Sequence, residues 1–234
     1  MIARPLRRAF LLLTLFAGSL TGCTTIAPAG PLRAQSTAGE PVMLLVDERE
    51  AIYETRNQPE SSFIVSTVPI QQLINGTVKD GQVVHFELLW EPKGGATPLS
   101  PTATNVSIRH VVFADGEVGV YAGAGFALPD GDVGRGAVSM RVQNATLRLA
   151  ESTEGFIDRL GEAEMVGAFK ASHAPGKTAA ARFALSQLVT DALGKSVFVM
   201  HDGTHTTLSN AFIDTQIEYL EYELTLLLAH RARD

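Results

Sequence analysis

The sequence predicts an α+β fold: an antiparallel, β-sandwich-like body with one or two C-terminal helices packed on it. Three observations carry this expectation. From residue 41 to about 149, β-rich runs follow one another with turn dipeptides between them and no helical spacing. The pair Asp115-Gly116 between two such runs is the strongest hairpin signal in the chain. Beyond residue 174 the apolar spacing becomes helical.

Taken in order, Val42 to Val46 reads as a buried-strand run, and Ser62 to Ile70 as a strand ending in a proline-containing stretch. Asn75-Gly76 and Asp80-Gly81 mark turns. Gln82 to Trp90 alternates in part, and Val106 to Phe113 pairs with Val118 to Tyr121 across Asp115-Gly116, whose residues favour the positive φ of a tight turn. From Ala137 to Leu149, Val138, Met140 and Val142 point one way, and Ser139, Arg141 and Gln143 the other. Hairpin-joined strands without crossover helices imply an antiparallel sheet.

The last third mixes types. Glu164 to Ala171 reads as a strand, and Ser196 to Met200 as another. Between them Thr178 to Leu193 is Ala-rich, with Leu185, Leu188, Val189 and Ala192 at helical spacing and Gly194 where a helix-ending glycine belongs. A second helix is expected from Ser209 to about Arg231, with Ile213, Ile217, Leu220, Leu224 and Leu228 on one face.

The amino-terminal segment is of another kind. Arg4, Arg7 and Arg8 precede an apolar run, Ala9 to Leu20, of 12 residues. Crossing a bilayer takes about 20, so the run is a secretory leader rather than a membrane helix. It ends in Leu20-Thr21-Gly22-Cys23, which resembles the lipobox of bacterial lipoproteins. The resemblance implies cleavage before Cys23, lipid on the Cys23 sulfur, and residence in the cell envelope. Thr24, where an Asp would signal retention at the inner membrane, favours the periplasmic side of the outer membrane. The expected organisation is then a signal peptide over residues 1–22, a flexible lipid-anchored tether over 23–40, rich in Pro, Ala, Gly, Ser and Thr, and a single globular domain over 41–234, mostly β to about 172.

The leader takes three of the 19 basic residues and no acidic ones, leaving 16 Lys+Arg against 25 Asp+Glu, a formal charge of −9. That field, without a basic cluster, argues against nucleic acid as a partner. The one cysteine, once lipidated, leaves no disulfide, thiolate metal ligand or cysteine nucleophile.

Two motifs bear on chemistry. Ala171 to Thr178 (ASHAPGKT) fits a loose phosphate-loop pattern with Ala171 in place of the first glycine. The βαβ context that such a loop needs is missing upstream, so the segment reads as a Pro-Gly turn opening a helix, and no cofactor is expected. His201, Asp202 and His205 lie within five residues beside a strand end and form the best metal or general-base candidate. Asp202-Gly203, however, breaks any helix that would align the two imidazoles. Asp130-Gly131-Asp132 lacks the further ligands of a calcium loop. His85 and His110 fall inside strand runs and read as sheet residues. The loop Glu91 to Thr104 reads as an inter-sheet connection, with Trp90 in the core. No Gly-x-Ser-x-Gly elbow or His-Glu-x-x-His helix occurs. The expectation is a non-catalytic envelope lipoprotein with a binding or structural role, its partners the membrane through lipid on Cys23 and an envelope protein. The alternative is an exported hydrolase or divalent-metal protein using His201, Asp202 and His205.

Overall fold

The computed structural model describes residues 30–39, 41–57, 60–92 and 104–209. Cys23, the leader and the expected helix beyond Ser209 lie outside these. The elements run β1 (Arg33–Ser36), β2 (Met43–Leu45), β3 (Glu50–Asn57), β4 (Glu60–Ser66), α1 (Ile70–Ile74), β5 (Gly81–Leu88), β6 (Val106–Ala114), β7 (Glu117–Asp130), β8 (Ala137–Ser152), β9 (Ala163–His173), α2 (Pro175–Leu193), β10 (Lys195–Val199) and β11 (His205–Ser209).

The first nine strands form one sheet in the order β2-β1-β9-β3-β4-β5-β6-β7-β8. Every neighbour from β3 to β9 along the chain is antiparallel, as the hairpins foretold. Residue Ser172 of β9 pairs with Ala137 of β8 on one edge and with Ile52 of β3 on the other. The β3–β9 contact is parallel and only two residue pairs long, yet it closes the sheet. The sandwich-like body is therefore a single sheet of which seven strands return on themselves. Closure covers part of the β3 edge, and β1 covers part of the β9 edge.

Two apolar layers result. Inside the closed sheet, Tyr53 stacks on Phe63 with ring centroids 5.0 Å apart, and the Phe169 ring reaches both Phe63, at 6.2 Å, and Phe86, at 5.1 Å. Aromatic rings from β3, β4, β5 and β9 thus fill the interior, joined by Val138, Met140 and Val142 of β8. The outward residues Ile52, Ile64, Val83, Val111 and Val120 form the second layer. Leu73 of α1, Ala181, Leu185 and Val189 of α2 and Val197 of β10 cover them. Strands β4 to β6 are buried on both faces, which is why their sequences read as apolar runs rather than clean alternation.

At the β6–β7 turn Asp115 and Gly116 both have positive φ, 53° and 83°, and Ala114 pairs with Glu117 across them. Helix α2 ends at Gly194 in the left-handed conformation, as its position implied.

Five expectations need correction. The folded body begins within the segment read as tether: β1 pairs with both β2 and β9, and Leu32 and Ala34 are 1% and 0% exposed. Gly167 makes this approach feasible, because a Cβ there would stand 2.4 Å from the Pro31 carbonyl oxygen. Strand β2 is an edge strand with Met43 and Leu45 exposed, not a buried run. The one-turn helix α1, joining β4 to β5, carries no amphipathic repeat long enough to show in sequence. Ser209 closes β11 instead of opening a helix. Trp90 is half-buried against Phe126, at 6.0 Å, rather than in the core, and most of the loop after it lies outside the described residues.

Candidate binding site

The outward face of β3 to β6 is not uniformly apolar. On β3, Glu54 and Arg56 point outward, on β4 Ser62, on β5 His85 and Glu87, and on β6 Ser107 and Arg109. The alternation that sends Phe63, Phe86 and Ile108 inward sends these residues out. Helix α2 and β10 lie over this face and add Arg182 and Ser186. A polar patch is thereby enclosed between sheet and helix.

Its charges are coupled. The Arg56 guanidinium donates to Glu87 Oε1 at 2.6 Å. Glu54 Oε1 sits 3.4 Å from Arg182 Nη2 and 3.7 Å from Arg56 Nε, within attraction but without hydrogen-bond alignment. Arg109 differs. It is 9% exposed, it donates from Nη1 to the Val197 carbonyl at 3.3 Å and from Nη2 to Ser186 Oγ at 3.2 Å, and its Nε–H has no acceptor. Among the described residues no carboxylate lies within ion-pair distance of it. Burial pushes the Arg109 pKa down to about 10, with Glu87 opposing the shift, so the group remains a cation at neutral pH. Above it opens a cavity of about 170 Å³, lined by His85, Glu87, Ser107, Arg109, Arg182 and Ser186 and roofed by residues 197–199 of β10.

Ser62 Oγ and His85 Nε2 are 2.9 Å apart, the spacing of a nucleophile and its base. Burial, and then the positive fields of Arg109 and Arg56, hold His85 well below the usual histidine range. A base so depressed is a weak one. Among the described residues no carboxylate hydrogen-bonds to His85, and Ser62 is 1% exposed and does not line the cavity. The pair ties β4 to β5 and lacks the orienting acid and the access that acyl transfer requires.

The residues singled out from sequence are separated by the fold. His201, Asp202, Gly203 and Thr204 form the β10–β11 turn, in which Asp202 Oδ1 accepts from Thr204 N at 2.9 Å and Thr204 Oγ1 at 2.6 Å. Those bonds, led by the hydroxyl, lower the Asp202 carboxyl pKa. His201 lines a small cavity with Arg56 and Glu60, whereas Asp202 lines a separate one of about 340 Å³ between the turn, β7 and β8. His205 pairs with Val199 in the hairpin ladder, and its Nδ1 is buried without a partner. The trio therefore does not converge, and among the described residues no three His, Cys, Asp or Glu side chains group as metal ligands. Lys177 of the phosphate-loop-like segment is engaged by Glu50. His110 is buried inside the sheet, bonded to Gln82 Oε1 at 3.0 Å, with burial lowering its pKa to about 4.

The Arg109 cluster left no mark in the sequence, since its partners Ser186 and Val197 lie 77 and 88 residues away. Comparison with protein-family models, curated proteins and solved structures finds no match to this chain.

Proposed function

We propose that the chain is a bacterial envelope lipoprotein, held through lipid on Cys23 at the periplasmic side of the outer membrane, whose β-body binds rather than catalyses. The observation that carries this reading is the order of basic, apolar and small residues ending in Leu20-Thr21-Gly22-Cys23. Pro31, where the bridging to β9 begins, lies eight Cα–Cα steps along the chain from Cys23. Fully extended they reach at most about 26–29 Å, so the body would stay close to the membrane surface. The non-catalytic role is supported by the Ser62–His85 pair without an orienting acid, by the separation of His201 from Asp202, and by a cavity whose defining group is a buried cation. An envelope protein or a small ligand is the expected partner.

The test is labelling of producing cells with a palmitate analogue. The full chain should take up label and sediment with outer-membrane fractions, and Cys23→Ser should take up none. A native chain that is secreted without lipid, or that carries an unmodified Cys23, would overturn the reading.

A further inference from the structure

We propose that the cavity between β5, β6, α2 and β10 is a binding site for a small oxyanion, a carboxylate or phosphate-type group, with Arg109 as its principal contact. The inference deepens the binding role above and names its ligand class.

The charges of the cluster do not balance. Arg56, Arg109 and Arg182 face Glu54 and Glu87, and every ion pair among them involves Arg56 or Arg182. Arg109 is the surplus cation. Taking a guanidinium out of water without a counter-charge is costly, and such groups are ordinarily paired when buried. A guanidinium carries five N–H donors in a planar fork suited to oxyanions. Arg109 spends one on the Val197 carbonyl and one on the Ser186 hydroxyl, both neutral, while Nε–H is buried with no acceptor. Those two bonds hold the group in place from two separate elements. Ser107 of β6 adds a hydroxyl to the cavity lining and Arg182 of α2 a second cation, the latter beside Glu54. Glu87 lines the cavity too and would repel an anion, but its carboxylate is held by Arg56.

Size sets the ligand. About 170 Å³ is well below the roughly 300–1,000 Å³ of pockets that hold drug-sized molecules. It admits an acetate-to-succinate-sized acid or an inorganic oxyanion, not a nucleotide. The roof is the β10–β11 hairpin, where Phe198 is 47% exposed, so access is over β10. In a chain of net negative charge this patch is a local positive field, which favours a small anion that can enter over a macromolecular polyanion that cannot.

The experiment uses the full chain in detergent, titrated at constant ionic strength with sodium acetate, succinate, phosphate or sulfate against a sodium chloride reference. Melting temperature is one readout, and the emission of a Phe198→Trp reporter at the cavity roof is the other. The expected result is a saturable response to at least one of these oxyanions that weakens at least tenfold in Arg109→Gln. Saturation by acetate or succinate alone assigns an organic acid, and saturation by phosphate or sulfate alone an inorganic oxyanion; either supports the site. Should Arg109→Gln fail to fold, the reporter titration in the otherwise native chain still decides. A response no different from chloride, or affinity unchanged in a folded Arg109→Gln, would overturn the proposal. Cys23→Ser should bind as the native chain does, so failure here is separable from failure of the lipid anchor.

Discussion

Tyr121 Oη donates to Asp158 Oδ1 at 2.6 Å, and the same oxygen accepts the backbone N–H groups of Leu160 and Gly161 at 3.0 Å each. Tyr121 belongs to β7 and lies inside the closed sheet. Asp158 belongs to the 153–162 connection between β8 and β9, from which Phe156 packs edge-on against the Tyr121 ring at 6.3 Å. One carboxylate thus pins the connection over the end of the barrel. Burial first, and then this bond, raise the Tyr121 pKa, so the phenol stays protonated and remains a donor.

Removing the two partners should have unequal effects. Tyr121→Phe deletes one bond to a charged group and should cost about 1.5–3 kcal/mol. Asp158→Ala strands three donors and should cost more. Denaturant unfolding of both variants measures the order, and an Asp158→Ala penalty smaller than that of Tyr121→Phe would contradict this account of the connection.

Gly116→Val probes the hairpin. A Cβ at Gly116 would meet nothing within 4 Å, so sterics with neighbours contribute no penalty. What remains is the φ of 83°, which a β-branched residue resists. The expected loss is about 1–2 kcal/mol, with Gly116→Asn costing distinctly less because Asn tolerates the left-handed region. Equal losses for Val and Asn would mean that backbone conformation is not the cause.

What the sequence disclosed follows the range of the interactions. Asp115-Gly116, the alternation of Val138, Met140 and Val142, and Gly194 at the end of α2 each act within a few residues, and each is found where it was expected. Closure through Ile52 and Ser172 is a contact between residues 120 apart and leaves no local pattern. Strand β1 was hidden for the same reason, because Leu32 and Ala34 are two apolar residues in a Pro/Gly/Ser/Thr-rich stretch whose order depends on β9.

Leu32→Ala tests that hidden strand. Leu32 is 1% exposed, and its carbonyl accepts from Val46 N at 2.9 Å. A buried Leu truncated to Ala costs about 2–5 kcal/mol. If residues 31–36 were a free tether, the variant would melt with the native chain. The expected result is instead a clear fall in melting temperature, with unchanged lipidation at Cys23.

The candidate site was illegible on similar grounds. Ser and Arg on strands and an Ala-rich helix carry no motif, and Arg109 acquires its role only when Ser186 and Val197 are brought over it. The visible cluster at His201 to His205 was instead a turn, with Asp202 committed to Thr204. Two histidines already noticed as strand residues, by contrast, predict how the fold responds to acid.

His85 and His110 are both buried and both held below the ordinary histidine pKa of 6.5, His110 at about 4. In the folded chain they are neutral through mildly acidic pH, while in the unfolded chain they protonate near 6.5. The unfolded state therefore binds more protons between these limits, and stability must rise with pH there. Each histidine contributes a slope of up to about 1.4 kcal/mol per pH unit, present from about 6.5 down toward its folded pKa and absent above 6.5. Glu48, whose pKa burial raises, works in the opposite direction, so the net slope of the native chain should be positive but below the sum of the two histidines. Denaturant unfolding at pH 5.0, 5.5, 6.0 and 6.5 measures it. His110→Gln, which removes one titrating group, should lower the slope by up to about 1.4 kcal/mol per unit whatever its effect on absolute stability. A flat profile in the native chain would show that neither imidazole is held neutral by its surroundings, and the same slope in His110→Gln would show that His110 is not.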